Sequence, residues 1–220
     1  MAVLNPLKVV ISNMADDHEE MLTVPYLFNS EGEAREELGA RDVPFSNELI
    51  IDQADFKEEY SKKFKKKFCV GRRIRLRHGY VLQADGFEKD AEGNITQVNA
   101  SLIENTLGCD PEDGDKPKGV VHWVSASHGI EVEAEVRSYA RLFNDANPDG
   151  GDKDFMDCLT PDSLVVSKVM IEPALAGVNA ETVFQFEREG YYVADRFDHS
   201  ADKPVFNLTI GLREDKSLTS

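Results

Sequence analysis

The sequence predicts a mainly β protein, and three observations carry that prediction. Short β-branched or aromatic runs recur along most of the chain, clusters of Gly, Pro, Asn or Asp separate them, and the clearest run alternates strictly. In that run Ile130, Val132, Ala134 and Val136 interleave with Glu131, Glu133, Glu135 and Arg137, a strand with one buried and one wet face. The spacing of the runs argues for barrels or sandwiches. A chain of 220 residues can form one large domain or two small ones, and either can bury a core.

In chain order the strand-like runs are residues 7–11, 49–51, 73–84, 95–102, 120–124, 130–136, 164–171, 182–186, 191–194 and 205–212. Asp90, Ala91, Glu92, Gly93 and Asn94 supply the Gly and Asn that a tight hairpin turn wants. The acidic, Ala-rich segment 29–41 reads as a helical or mobile insertion, and 144–154 as a surface loop. One short lysine-rich helix is expected, because Phe56, Tyr60, Phe64 and Phe68 recur every four residues. Asp52 or Asp55 is available as its cap and Gly71 is suited to stopping it. The aromatic stripe is a packing face, so Lys62, Lys63, Lys65, Lys66 and Lys67 lie away from it or at its edges. Residues 108–118 are a Pro, Gly and Asp stretch and the best candidate boundary, which gives domains 1–110 and 111–220, with an N-terminal strand able to cross between them.

Charge is segregated. Ten of the 25 basic side chains fall in residues 57–77, a segment of net charge +8 in a chain of net charge −16. Within it Arg73, Arg75 and Arg77 alternate with Ile74 and Leu76, which puts the guanidinium groups on one side of a strand. At physiological salt the Debye length is about 8 Å, so a phosphate meets the local cluster while distant carboxylates are damped. The acidic remainder then opposes loose binding and favours a well-placed partner.

Catalytic constellations are not visible. His18, His78, His122, His128 and His199 show no metal spacing, and the chain carries no HExxH, GxSxG, GxGxxG or phosphate-cradling GxxxxGK[ST] motif. Cys69, Cys109 and Cys158 are widely spaced and read as reduced thiols. No structural metal and no catalytic residue is assigned. The absence of an 18-residue apolar run and of a signal-peptide pattern reads as a cytoplasmic protein without a membrane span.

Three stretches together resemble the C-terminal, anticodon-binding part of bacterial-type glutaminyl-tRNA synthetases: DVPFSNELIIDQADF from Asp42, GVVHWVSASH from Gly119, and VFQFEREGYYVAD from Val183 with KPVFNLTIGLR from Lys203. The opening MAVLNPLKVVI resembles the segment where that family passes from its catalytic portion into the anticodon-binding barrels. The resemblance covers essentially the whole chain. It implies two β-barrels related to a ribosomal 5S-RNA-binding protein. It also implies a ligase that charges glutamine tRNA with glutamine using ATP and magnesium. The HIGH-like and KMSKS-like motifs of the catalytic portion do not occur here, so the chain reads as a tRNA-reading module, monomeric and partnered by a catalytic domain of the same chain.

Residue by residue, the resemblance implies that Gln185 and Arg188 enclose the central anticodon uridine. It implies Lys66 and Lys67 at the third base and Arg75 and Arg77 near the first. Lys62 and Arg73 complete the expected RNA-binding set, on the lysine segment and the arginine strand. Where the family commonly has Lys-Arg, this chain has Lys66 and Lys67, and lysine offers no flat bidentate fork. In an ideal strand Gln185 and Arg188 face opposite sides, so sharing one base requires a bulge, bend or turn, for which Gly190 is a candidate. Two further readings stay open: the matching region of a glutamyl-tRNA synthetase, and a protein-interaction module whose arginine strand is structural.

Overall fold

The computed structural model describes residues 1–127 and 132–212. It is mainly β and divides into two compact units, Met1–Glu133 with Val169–Gly177, and Ala134–Lys168 with the chain from Val178 onward. Each unit is built on a curled sheet.

The first unit holds a seven-stranded sheet in the order Val120–Val121, Arg73–Leu76, Val81–Lys89, Ile95–Ile103, Pro6–Ile11, Glu48–Asp52, Trp123–Ser125. Its first and last strands are separated in sequence by His122 alone. The ribbon must therefore bend until its ends meet, which nearly closes a barrel. Alternation fills the interior: Leu7, Val9, Ile11, Leu49, Ile51, Ile74, Leu76, Val98 and Ala100 are buried. Trp123 lies among them, stands edge-on to Phe45 at 5.5 Å, and donates its indole N–H to the Arg77 carbonyl at 3.0 Å. The expected hairpin turn at Asp90–Asn94 is present: Gly93 has φ +87°, and the Asn94 backbone N–H donates to the Asp90 carboxylate at 2.8 Å.

The expected lysine-rich helix is not formed. Among the described residues there is no α-helix, and segment 56–68 is a loop with one 3-10 turn at Lys62–Phe64. Its ends, Phe56–Lys57 and Phe68–Cys69, pair in parallel, and the rings of Phe56 and Phe68 meet edge to face at 6.1 Å inside the core. The four-residue aromatic spacing thus marks two buried anchors of a loop, while Tyr60 stays exposed between them. Asp52 does cap, accepting from the Ala54 N–H at 2.8 Å, but the element it starts is the short 3-10 turn Gln53–Asp55. Segment 29–41 contains a single 3-10 turn, Glu36–Leu38.

A second sheet has six strands, Ala2–Val3, Leu164–Ile171, Val132–Tyr139, Val205–Gly211, Gly190–Ala194 and Val183–Phe186, in that spatial order. Ala134 and Val136 are buried as their alternation predicts; Ile130 and Glu131, like His128, lie outside the described residues. Phe186 stacks on Tyr192 at 4.3 Å and meets Phe206 edge-on at 5.3 Å, which makes a solid aromatic core behind the hairpin Val183–Ala194. Arg137 ties down the 195–198 turn through Asp198 at 2.7 Å and Asp195 at 3.5 Å.

Candidate nucleic-acid interface

Period-two alternation places Arg73 and Arg75 opposite buried Ile74 and Leu76 on one strand, with Arg77 following immediately. The arginines do not project bare into solvent. Arg73 makes a two-pronged pair with Asp113, both N–O distances 2.7 Å, and donates to the Asp115 carbonyl at 3.2 Å. Arg75 donates to the carbonyls of Cys109 at 2.6 Å and Thr106 at 3.0 Å, and pairs with Asp110 at 3.2 Å. Lys116 closes the set on Asp110 at 2.8 Å. The Arg73 guanidinium, helped by the Asp115 N–H, pulls the Asp113 carboxyl down to about 2. Lys116 and then Arg75 hold Asp110 below the ordinary carboxylate range.

Residues 106–116 therefore form an acidic strap laid over the arginine strand. Its base is fixed by the buried Thr106, whose hydroxyl donates to the Ile103 carbonyl at 2.6 Å and accepts from the Val81 N–H at 2.9 Å. Neither the strap nor Thr106 is singled out by the sequence as functional. The signal was the alternation of acids with Gly and Pro in GCDPEDGDKPK, which reads equally as a plain linker.

The strap flank opens on a cleft of about 680 Å³ whose lining includes Arg75, Arg77, His78, Phe28 and Leu107. His78 takes φ +58° and lies flat on Phe28, with ring centroids 4.8 Å apart and planes 5° from parallel. Burial, followed by the neighbouring charges of Arg77 and Arg41, pushes its pKa down to about 4, so the ring is neutral at physiological pH.

The lysine loop presents Lys62, Lys63, Lys65 and Lys66 to solvent. Lys67 is half-buried and pairs with the buried Asp55 at 2.9 Å. Arg72, not among the expected readers, lies exposed over the exposed Tyr60 ring at 4.2 Å. The loop also packs against Gly119, three residues beyond the strap: a Cβ placed there would lie 2.0 Å from the Lys66 carbonyl oxygen.

In the second unit Gln185 is exposed on strand Val183–Phe186, and Arg188 is exposed in the turn that follows. The Phe186 carbonyl accepts from the Glu189 N–H at 3.0 Å, and Arg188 takes φ +69°, the geometry of a tight turn that ordinarily selects Gly at this position. The turn needed for Gln185 and Arg188 to address one group is thus present, and its left-handed residue is Arg188 itself. Gly190 serves another purpose: a Cβ there would sit 2.7 Å from the Ile210 carbonyl oxygen. Lys62, Lys66, Lys67, Arg73, Arg75 and Arg77 all lie in the first unit, and Gln185 and Arg188 on one hairpin of the second.

Residues 1–103 match one family model and residues 120–195 a second, both described as tRNA synthetases class I (E and Q), anti-codon binding domain. Curated relatives include glutamine–tRNA ligases from Tolumonas auensis, 49% identical over 215 residues, and Pectobacterium atrosepticum, 48% identical over 214. A third, from Citrobacter koseri, is 47% identical over 214 residues. Each alignment takes in 97% of this chain, which spans about 37% of the relative's length.

Proposed function

Because this chain belongs to the anticodon-binding domains of the class I tRNA synthetases for glutamate and glutamine, we propose that it grips the splayed anticodon loop of glutamine tRNA on behalf of a glutamine–tRNA ligase. The observation that carries this reading is the Val183–Ala194 hairpin, where an exposed amide and an exposed guanidinium flank one tight turn. Single-stranded RNA is read by such groups on the unstacked edges of its bases. In this reading Gln185 and Arg188 take the central uridine, Lys66 and Lys67 the third base, and Arg75 and Arg77 the first. Lys62 and Arg73 hold phosphates.

Arg73 and Arg75 already have carboxylate and carbonyl partners, so they reach RNA by exchanging Asp113 and Asp110 for phosphate or base acceptors. The exchange keeps an anion against each guanidinium but leaves Asp113 and Asp110 beside the incoming RNA, so the two carboxylates compete with it. Charging of the tRNA with glutamine, using ATP and magnesium, belongs in this reading to a catalytic domain of the ligase. Among the described residues no group of three or more His, Cys, Asp or Glu side chains is placed to hold a metal ion. The module works as a monomer in the cytoplasm; among the described residues no helix is long and apolar enough to cross a membrane.

Binding across a salt series tests the assignment. Arg188→Ala should weaken cognate tRNA and blur discrimination at the central base, whereas Lys62→Ala should lower affinity evenly and reduce the salt slope by about 1. Equal losses for every anticodon in Arg188→Ala would contradict the base-reading role. The family description names both glutamate and glutamine enzymes, so glutamate tRNA is the control: comparable binding of both tRNAs would move the reading to a glutamyl-type module.

A further inference from the structure

We propose that Tyr191 is the stacking platform for the nucleobase that Gln185 addresses, a role that rests on the anticodon-loop reading above. The register carries it. Gln185 lies directly opposite Tyr191, and Tyr191 directly opposite Ile210, so the three share one face of the second unit's sheet. Directly opposed residues in an antiparallel pair have Cβ atoms about 5 Å apart, close enough for an amide to lie at a ring's edge.

That face is the outer one. The alternate positions Phe186 and Tyr192 are buried and stacked on each other, so the core already has its aromatic filling and Tyr191 adds nothing to it. Tyr191 is 41% exposed, and Ile210 and Val183 on the same face are each 63% exposed. The position of Tyr191 is fixed from behind: Thr209, the extra residue of a bulge in the neighbouring strand, donates its hydroxyl to the Tyr191 carbonyl at 2.8 Å. Farther along the face the Asn207 amide, opposite Val193, is taken up by Asp195 and Tyr139, which leaves Gln185 as the amide beside Tyr191 and Val183. An amide edge next to exposed apolar groups suits a flat, apolar-faced ligand with a hydrogen-bonding edge, which describes an unstacked base.

The test measures binding of the full chain to glutamine tRNA, intact and with an abasic nucleotide at the central anticodon position. Tyr191→Phe should bind like the parent protein, while Tyr191→Ala and Tyr191→Leu should lose about ten-fold with intact tRNA and nothing with the abasic one. Unaltered thermal melting of Tyr191→Phe and Tyr191→Leu keeps folding out of the comparison. If intact and abasic tRNA bind the parent protein equally, the anticodon reading itself has failed. If the parent discriminates and Gln185→Ala does not, yet Tyr191→Ala binds like the parent, only the stacking role is overturned, whatever else that face covers, a protein partner included. An equal loss of Tyr191→Ala on both tRNAs also overturns it.

Discussion

Single residues on the first unit carry chemistry that their neighbours impose. Glu172 is buried and would be costly as a lone charge. Burial pushes its carboxyl up, but Arg41, with Nε 2.5 Å and a terminal nitrogen 2.9 Å from the two oxygens, together with the amino group of Met1, outweighs that and leaves it below the ordinary range. His78 shows the opposite balance, because its surroundings are cationic and partly dry, and its pKa falls to about 4. The unfolded chain takes up that proton near the ordinary histidine value of about 6.5. The stabilising contribution of the neutral ring is therefore complete above about pH 6.5 and is lost progressively toward pH 4. His78→Asn, which tolerates φ +58°, should flatten the decline of melting temperature between those pH values. An unchanged slope in that window would show that His78 does not titrate as described. None of this is legible from the sequence, where His78 is one histidine among five, because the shift arises from tertiary neighbours.

At the scale of elements, the local period was readable and the long-range pairing was not. The arginine strand and the Val132–Tyr139 strand follow from alternation, a property of adjacent residues. The Phe56 to Phe68 stripe misleads because spacing at four fits a helix and equally fits a loop whose ends return side by side. The acid partner of Arg73 lies 40 residues away at Asp113, beyond any local pattern. Two expectations belong to this scale. Gly119→Ala drives a Cβ into the Lys66 backbone carbonyl, and because backbone cannot step aside cheaply, the variant should lose about 2 kcal/mol in chemical denaturation. A loss below about 0.5 kcal/mol, the ordinary range of a surface change, would mean that Gly119 and the lysine loop are not packed as described. Asp113→Asn removes the charge that occupies the Arg73 fork, and should raise tRNA affinity several-fold at low salt, an advantage that fades as salt rises. A lower affinity in that variant would make the strap part of the binding surface and not its competitor.

Across the whole molecule, net charge −16 with a local segment of +8 disfavours loose binding of a polyanion and favours contact at the basic segment. The strap sharpens that picture, since part of the basic segment is already satisfied by the protein's own carboxylates. The fold class was legible because strand runs and turn residues repeat along the chain. The resemblance to the synthetases nominated the proposed base readers, and the turn at Arg188 supplies a physical means for two of them to meet one group. Which guanidinium groups are held internally depends on contacts that only the folded chain creates. The most direct test is the affinity of the parent chain for four glutamine tRNAs that differ only in the central anticodon base, at fixed physiological salt. The account predicts that uridine is preferred about ten-fold or more over each alternative. Equal affinity for all four would contradict it.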